Sequence, residues 1–189
     1  MKELIKSIKI YLIFTILLGL VYPLAITAIA QITMPHKANG SLIKKDGSIV
    51  GSELIGQSFT KPEYFQSRPS AVDYNAAGSG ASNLGPSSKK LMSEVKDRVQ
   101  QVREENNLKP DQQIPADMVL SSSSGLDPHI SQENALFQVS RISQLRKIPK
   151  YKIKELIKEN TDSDFIGIWG QSGVNILKLN LALDNAQRK

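Results

Sequence analysis

Cysteine is absent from the 189 residues, and only two histidines, one tryptophan and 6% aromatics occur. No disulfide can form, no thiolate can attack, and no Cys-based metal site exists. The two histidines, His36 and His129, are far apart, and no His-x-x-x-His pair or calcium-loop pattern is present. No metal site and no metal ligands are expected. The charge is +6, of which Lys2, Lys6 and Lys9 against Glu3 supply +2. The remainder is mildly basic, and no basic cluster is interleaved with aromatics, so nucleic-acid binding is not expected. Glycines and a lysine between Gly78 and Lys89 do not end in Gly-Lys-Ser/Thr, so there is no P-loop.

What the chain does have is one long uncharged run. Residues 10–32 carry no charge; the flanking charges are Lys9 and Lys37. A bilayer core takes about 20 apolar residues of helix, so this run can span it. A cleaved signal peptide competes, because the start is basic and Ala28-Ile29-Ala30 resembles a cleavage site. Its apolar region is usually about 7–15 residues, shorter than this. A buried core helix is disfavoured by the lack of any polar face. The lysines before the run favour a cytoplasmic N-terminus, with the main domain outside. The divisions are a cytoplasmic tail (1–9), a transmembrane helix (10–32), a connector (33–40) and one extracytoplasmic α+β domain (41–189). Pro23 removes one backbone donor and is expected to kink the helix. At 100° per residue Thr15, Gly19, Pro23 and Ala30 share a face, and small residues there admit a neighbouring helix.

The fold class is α+β. Pro35 stops the membrane helix, and Asp46-Gly47 predicts a hairpin within 41–50. A short helix is expected at Pro62, a Gly/Ser-rich loop over 76–88, and an amphipathic helix over 88–106. That helix carries Leu91, Met92, Val95, Val99 and Val102 on one face. Met118-Val119-Leu120 reads as a strand. Ser131 is an N-cap, and the helix after it runs to about Lys147, burying Ala135, Val139 and Ile142. A short helix follows over 152–160. Residues 165–169 and 174–181 read as two strands joined by a four-residue hairpin loop, Gly170 to Gly173.

Asp127, His129 and Ser124 or Ser131 are residue types used in nucleophilic catalysis. Triads usually draw on separate segments, and such close spacing more often serves caps. The segment Gly80-Ala81-Ser82-Asn83-Leu84 lacks the second glycine of a nucleophile elbow. No catalytic residue is assigned.

Several short stretches, in order, carry a resemblance. They are Gly19-Leu-Val-Tyr-Pro23, Gln31, residues 38–42 (Ala-Asn-Gly-Ser-Leu), residues 56–59 (Gly-Gln-Ser-Phe), Tyr64-Phe65 and Arg68-Pro69-Ser70. Then follow residues 79–86 (Ser-Gly-Ala-Ser-Asn-Leu-Gly-Pro), residues 124–131 (Ser-Gly-Leu-Asp-Pro-His-Ile-Ser), Gln138, Arg141 and Arg146. Residues 174–177 (Val-Asn-Ile-Leu) and 179–184 (Leu-Asn-Leu-Ala-Leu-Asp) complete them. Together they resemble the C subunit (KdpC) of the Kdp-type potassium-importing P-type ATPase of bacteria and archaea. The resemblance implies a single-pass, non-catalytic subunit of the cell membrane, needed for assembly and activity. Its partners would be a potassium-selecting, channel-like subunit and a P-type subunit that hydrolyses ATP. It would have no cofactor of its own, potassium and ATP being handled by those partners. The resemblance also implies a catalytic chaperone that raises the ATP affinity of the P-type subunit. A domain outside the membrane reaches cytosolic ATP only through coupling or through the tail. Loops on rigid scaffolds often carry contacts, so Arg68, Ser82, Asn83, Gly125, Leu126, Asp127 and His129 are candidate subunit contacts. The alternative is a signal-anchored extracytoplasmic binding module acting alone.

Overall fold

The computed structural model describes residues 1–162 and 170–187. The expected strand over 165–169 lies outside the described residues. The chain divides into two compact units, Met1–Val50 and Gly51–Lys189.

The first unit is dominated by one helix of 32 residues, Lys2–Thr33. It comprises α1 (Lys2–Ile16), a π-helical turn (Leu17–Val21) and α2 (Tyr22–Thr33), and no residue of it is buried. The distortion expected at Pro23 takes the form of that π turn, directly N-terminal to the proline. Tyr22 N–H donates to Leu17 O, five residues back. Widening the turn relieves the clash a proline ring makes with the carbonyl four residues earlier. Met34 leaves helical geometry, and Pro35 starts a four-residue helix, α3 (Pro35–Ala38), inside the expected connector. The hairpin follows as β1 (Leu42–Lys45) and β2 (Ser48–Ser52). Asp46 and Gly47 both adopt positive φ, 52° and 80°, as a tight Asp-Gly turn requires.

In the second unit α4 (Lys89–Glu105) is capped by Ser88, whose hydroxyl accepts from Leu91 N–H. Its apolar face is narrower than the sequence implies. Val95, Val99 and Val102 join Leu108, Ile114, Met118, Val119 and Phe137 in a small cluster, but Met92 is 64% exposed. The strand expected at 118–120 is instead a 3₁₀ turn, Ala116–Met118, with Pro115 as its N-cap and Met118 N–H donating to Pro115 O. The helix expected at Pro62 is absent: residues 62–66 form turns and extended backbone whose carbonyls face α5.

The main core lies between α5 (Gln132–Arg146), α6 (Lys150–Glu159), α7 (Ile176–Gln187) and a three-stranded antiparallel sheet. That sheet has the order β3 (His129–Ile130), β5 (Gly173–Asn175), β4 (Thr161–Asp162). His129 pairs with Asn175 on one side of β5, and Asp162 pairs with Gly173 on the other. The strand expected over 174–181 ends at Asn175. Leu177, Leu179, Leu181 and Leu183 mimic a period of two, yet the buried set is Ile176, Leu177, Leu179, Asn180 and Leu183, a helical pattern. Asn175 starts the helix: its Oδ1 accepts from Lys178 N–H at 3.1 Å. Among the described residues, β5 pairs with Thr161–Asp162 on one side and His129–Ile130 on the other.

Candidate functional site

Residues 124–131 form a turn between the 3₁₀ segment and α5, and three other segments converge on it. Gly125 adopts φ +69°, and a Cβ there would lie 2.6 Å from Val72 Cγ2 and 2.8 Å from Gly80 O. Only glycine fits that position. Gly80 N–H donates to Ser124 O at 2.9 Å, and Ser79 Oγ donates to the same carbonyl at 3.0 Å. Ser70 Oγ donates to Gly125 O at 2.7 Å while accepting from Val72 and Tyr74 N–H. Gly56 N–H donates to Leu126 O at 2.8 Å. The Gly/Ser loop and the 124–131 turn therefore hold each other. Ser82 and Asn83 lie beyond that anchor and are exposed, Asn83 at positive φ.

Arg68, Asp127 and His129 do come together. Arg68 Nη1 meets Asp127 Oδ2 at 3.1 Å. Asp127 Oδ1 accepts from His129 N–H at 3.0 Å and stands 3.7 Å from His129 Nδ1. His129 Nε2 reaches Asp162 Oδ2 at 2.9 Å, and Lys178 Nζ lies 4.0 Å from Asp162 Oδ1 and 2.8 Å from Glu53 Oε2. The charges alternate along this chain, Arg68, Asp127, His129, Asp162, Lys178, Glu53. Arg68, Asp127, His129 and Asp162 edge a cleft of ≈ 360 Å³ that also takes in Asp117, Gln171 and Gly173. Gly173 makes the crossing possible. A Cβ there would sit 3.0 Å from His129 Cβ and 3.3 Å from His129 Cγ, so the bare backbone of β5 leaves room for the ring.

This arrangement shifts two groups. For Asp127 burial alone would raise the carboxyl, but the hydrogen bonds from His129 and the Arg68 charge outweigh it, and its pKa ends lowered. His129 is raised: Asp127 does most, burial works against it, and Asp162 adds to the rise. The imidazolium is the form this site favours.

The serines near it are committed elsewhere. Ser131 Oγ donates to Asp117 Oδ1 at 3.1 Å and accepts from Asn134 N–H at 3.0 Å as the N-cap of α5. Ser124 Oγ accepts from Leu126 N–H at 3.1 Å. Both act as caps of local structure. Among the described residues, no group of three or more His, Asp or Glu could hold a metal ion.

A second constellation was not singled out as a site by the sequence. Gln138, Arg141, Arg146 and Asn180 are buried polar residues, and all four hold the backbone of residues 62–66. Gln66 N–H donates to Gln138 Oε1 at 2.8 Å, and Gln138 Nε2 donates to Gln66 O at 3.3 Å. Arg141 donates to Pro62 O, to Tyr64 O, to Asn106 Oδ1 at 3.0 Å and to Gln138 Oε1 at 2.7 Å. Arg146 Nε donates to Glu63 O at 2.8 Å, pairs with Asp184 at 3.0 Å and lies 4.3 Å above the Tyr64 ring. The signal was present as polar residues at i, i+3 and i+8 on an otherwise apolar helix face.

In the membrane-type helix, Thr15 precedes the π turn, Gly19 lies within it, and Pro23 and Ala30 follow it. Nothing lies within 4 Å of a Cβ built on Gly19.

Residues 4–185 match the family model described as K+-transporting ATPase, c chain. The chain is 46% identical over 182 residues to the potassium-transporting ATPase KdpC subunit of Caldanaerobacter subterraneus subsp. tengcongensis, covering 96% of this chain and 94% of that one. It is 45% identical over 185 residues to the protein of the same name from Mycobacterium tuberculosis, covering 97% and 98%. With that of Bradyrhizobium diazoefficiens it shares 44% over 203 residues, covering both chains completely.

Proposed function

The chain belongs to the family of c chains of K+-transporting ATPases, and from that premise we propose that it is the membrane-anchored, non-catalytic subunit of an ATP-driven potassium importer. The supporting observation is that the match runs through residues 4–185, so helix and domain are shared together with relatives named as subunits of that pump. An apolar helix of 32 residues with no buried position supports the anchor. The lysines at its start favour a cytoplasmic N-terminus and an outer domain.

In this reading the helix packs among the membrane helices of a potassium-selecting, channel-like subunit. The domain stands over the mouth of the potassium path and docks through the exposed part of the Gly/Ser loop, Ser82 and Asn83, and through the turn bearing Asp127 and His129 with Arg68 paired to it. ATP hydrolysis belongs to a P-type partner. A rise in that partner's ATP affinity is then coupling between sites, requiring different contacts of this domain in two pump states.

The test is affinity capture of the tagged full-length chain in mild detergent from potassium-starved cells. Large membrane partners with potassium-stimulated ATPase activity are the expected companions. A chain that comes down alone and leaves potassium uptake unchanged when deleted sinks the proposal. ATP titrations of the complex with and without the chain test the affinity effect separately.

A further inference from the structure

The π turn leaves the Leu18 carbonyl without its helical donor. In an α-helix Leu18 O would accept from Tyr22 N–H, but that donor is given to Leu17 O. In the π register Leu18 O would accept from residue 23, which is proline and has no N–H. No side chain among the described residues donates to it either; the helix's own threonine back-bonds lie further on, Thr27 to Pro23 O and Thr33 to Ile29 O. The adjacent residue is Gly19, open to 4 Å around its missing Cβ. Leu18 is the ninth of the 23 residues in the uncharged run 10–32, well inside it. No water is available at that depth, and a spanning helix tolerates a freed carbonyl because a neighbouring helix or side chain satisfies it.

Resting on the pump-subunit reading above, we propose that the membrane contact of this chain centres on Leu18 and Gly19, where a helix of a partner subunit presents a hydroxyl or carboxamide side chain to Leu18 O. Gly19 lets that helix come close enough, and the donor supplies what Pro23 withholds. Hydrogen bonding between helices is one of the forces that hold them together in lipid, where apolar side chains gain nothing by leaving the bilayer. The contact is thus narrower than the Thr15, Gly19, Pro23, Ala30 face, and its chemistry is polar rather than only steric.

The test uses the full-length chain captured with its complex. Pro23→Ala restores an N–H at position 23, satisfies the helix internally and leaves the partner's donor unpaired. It should not unfold the chain, because it removes a helix distortion. Retention of the partner through graded detergent should fall about three- to thirtyfold, the equivalent of one interhelical hydrogen bond. Gly19→Leu should lower it at least as far by blocking approach. If the wild type captures the pump and Pro23→Ala holds it equally well, the inference is overturned while the pump-subunit reading stands. If the wild type captures no pump, that reading fails first. If two differently tagged copies associate without pump subunits and Pro23→Ala separates them, the occupant is a second copy, and the proposed partner is wrong.

Discussion

Asn180 and Phe65 exchange two hydrogen bonds: Phe65 N–H donates to Asn180 Oδ1 at 2.9 Å, and Asn180 Nδ2 donates to Phe65 O at 3.0 Å. One carboxamide on α7 thus takes the place of a neighbouring strand for a residue that is 0% exposed. Asn180→Ala would leave two buried backbone groups unpaired, each costing about 1–3 kcal/mol. The expected loss is about 2–6 kcal/mol, read as a lowered midpoint in denaturant. Asn180→Asp keeps the acceptor, loses the donor and buries a charge, and should be no better. An unchanged midpoint for either variant would show that the loop is held without this residue.

The His129 clamp gives a pH dependence with a definite sign. Its pKa is raised on folding by Asp127 and Asp162. The stabilisation is therefore full below the ordinary histidine pKa and is lost as pH rises through the raised one. Asp127 is lowered, so its share is present above the ordinary carboxylate pKa and is lost as pH falls through the lowered one. Stability from this site is greatest between those limits. His129→Gln should flatten the alkaline limb in unfolding measurements from mildly acidic to mildly basic pH. A limb of unchanged steepness would assign that loss to other groups.

Gly173 is where the clamp crosses β5. Gly173→Val places branched carbon against His129, whose Cβ is 3.0 Å and whose nearest ring atom, Cγ, is 3.3 Å from the missing Cβ. The ring should be displaced from Asp162 and its pKa should fall toward the unperturbed value, visible in the imidazole resonances during an NMR titration. If the titration is unmoved, Asp127 alone sustains the shift.

Gly125→Ala adds a methyl 2.8 Å from the backbone oxygen of Gly80, at φ +69°. Strain and overpacking each cost about 1–3 kcal/mol. The Gly/Ser loop should detach before the domain unfolds, so limited proteolysis should cut within residues 76–88 faster than in the wild type. Equal cutting rates would mean the anchor at Ser124 is not what restrains the loop.

Local signals were legible where a single element decided its own form. The Asp46-Gly47 turn, the helix over 88–106, the Ser131 cap and the buried stripe Ala135, Val139, Ile142 all appear as the sequence reads. Residues 176–181 were not read correctly, because alternating leucines satisfy a period of two and a helical period at once. The buried asparagine that breaks the apolar pattern, Asn180, is the same residue that grips Phe65. The turn at Pro62 misled for a related reason. Proline at a helix start and proline in a stapled loop look alike until the arginines that take the loop's carbonyls, Arg141 and Arg146, are known to lie opposite. Arg68, Asp127 and His129 were found by motif. Asp162 and Lys178 were not, since only the β3-β5-β4 register brings them alongside.

Asn175 and Asn180 bind across long stretches of chain. Asn175 Nδ2 donates to Glu53 O, 122 positions earlier, and Asn180 meets Phe65 across 115. A ribosome delivers residues 53–66 well before it delivers either asparagine. Until then Phe65 N–H and C=O lack the carboxamide they meet in the folded domain, and the core around Phe65 stays open. The domain therefore closes late, after nearly the whole polypeptide has been made. A truncation that removes α7 should forfeit the second unit as a whole, even though most of its residues remain.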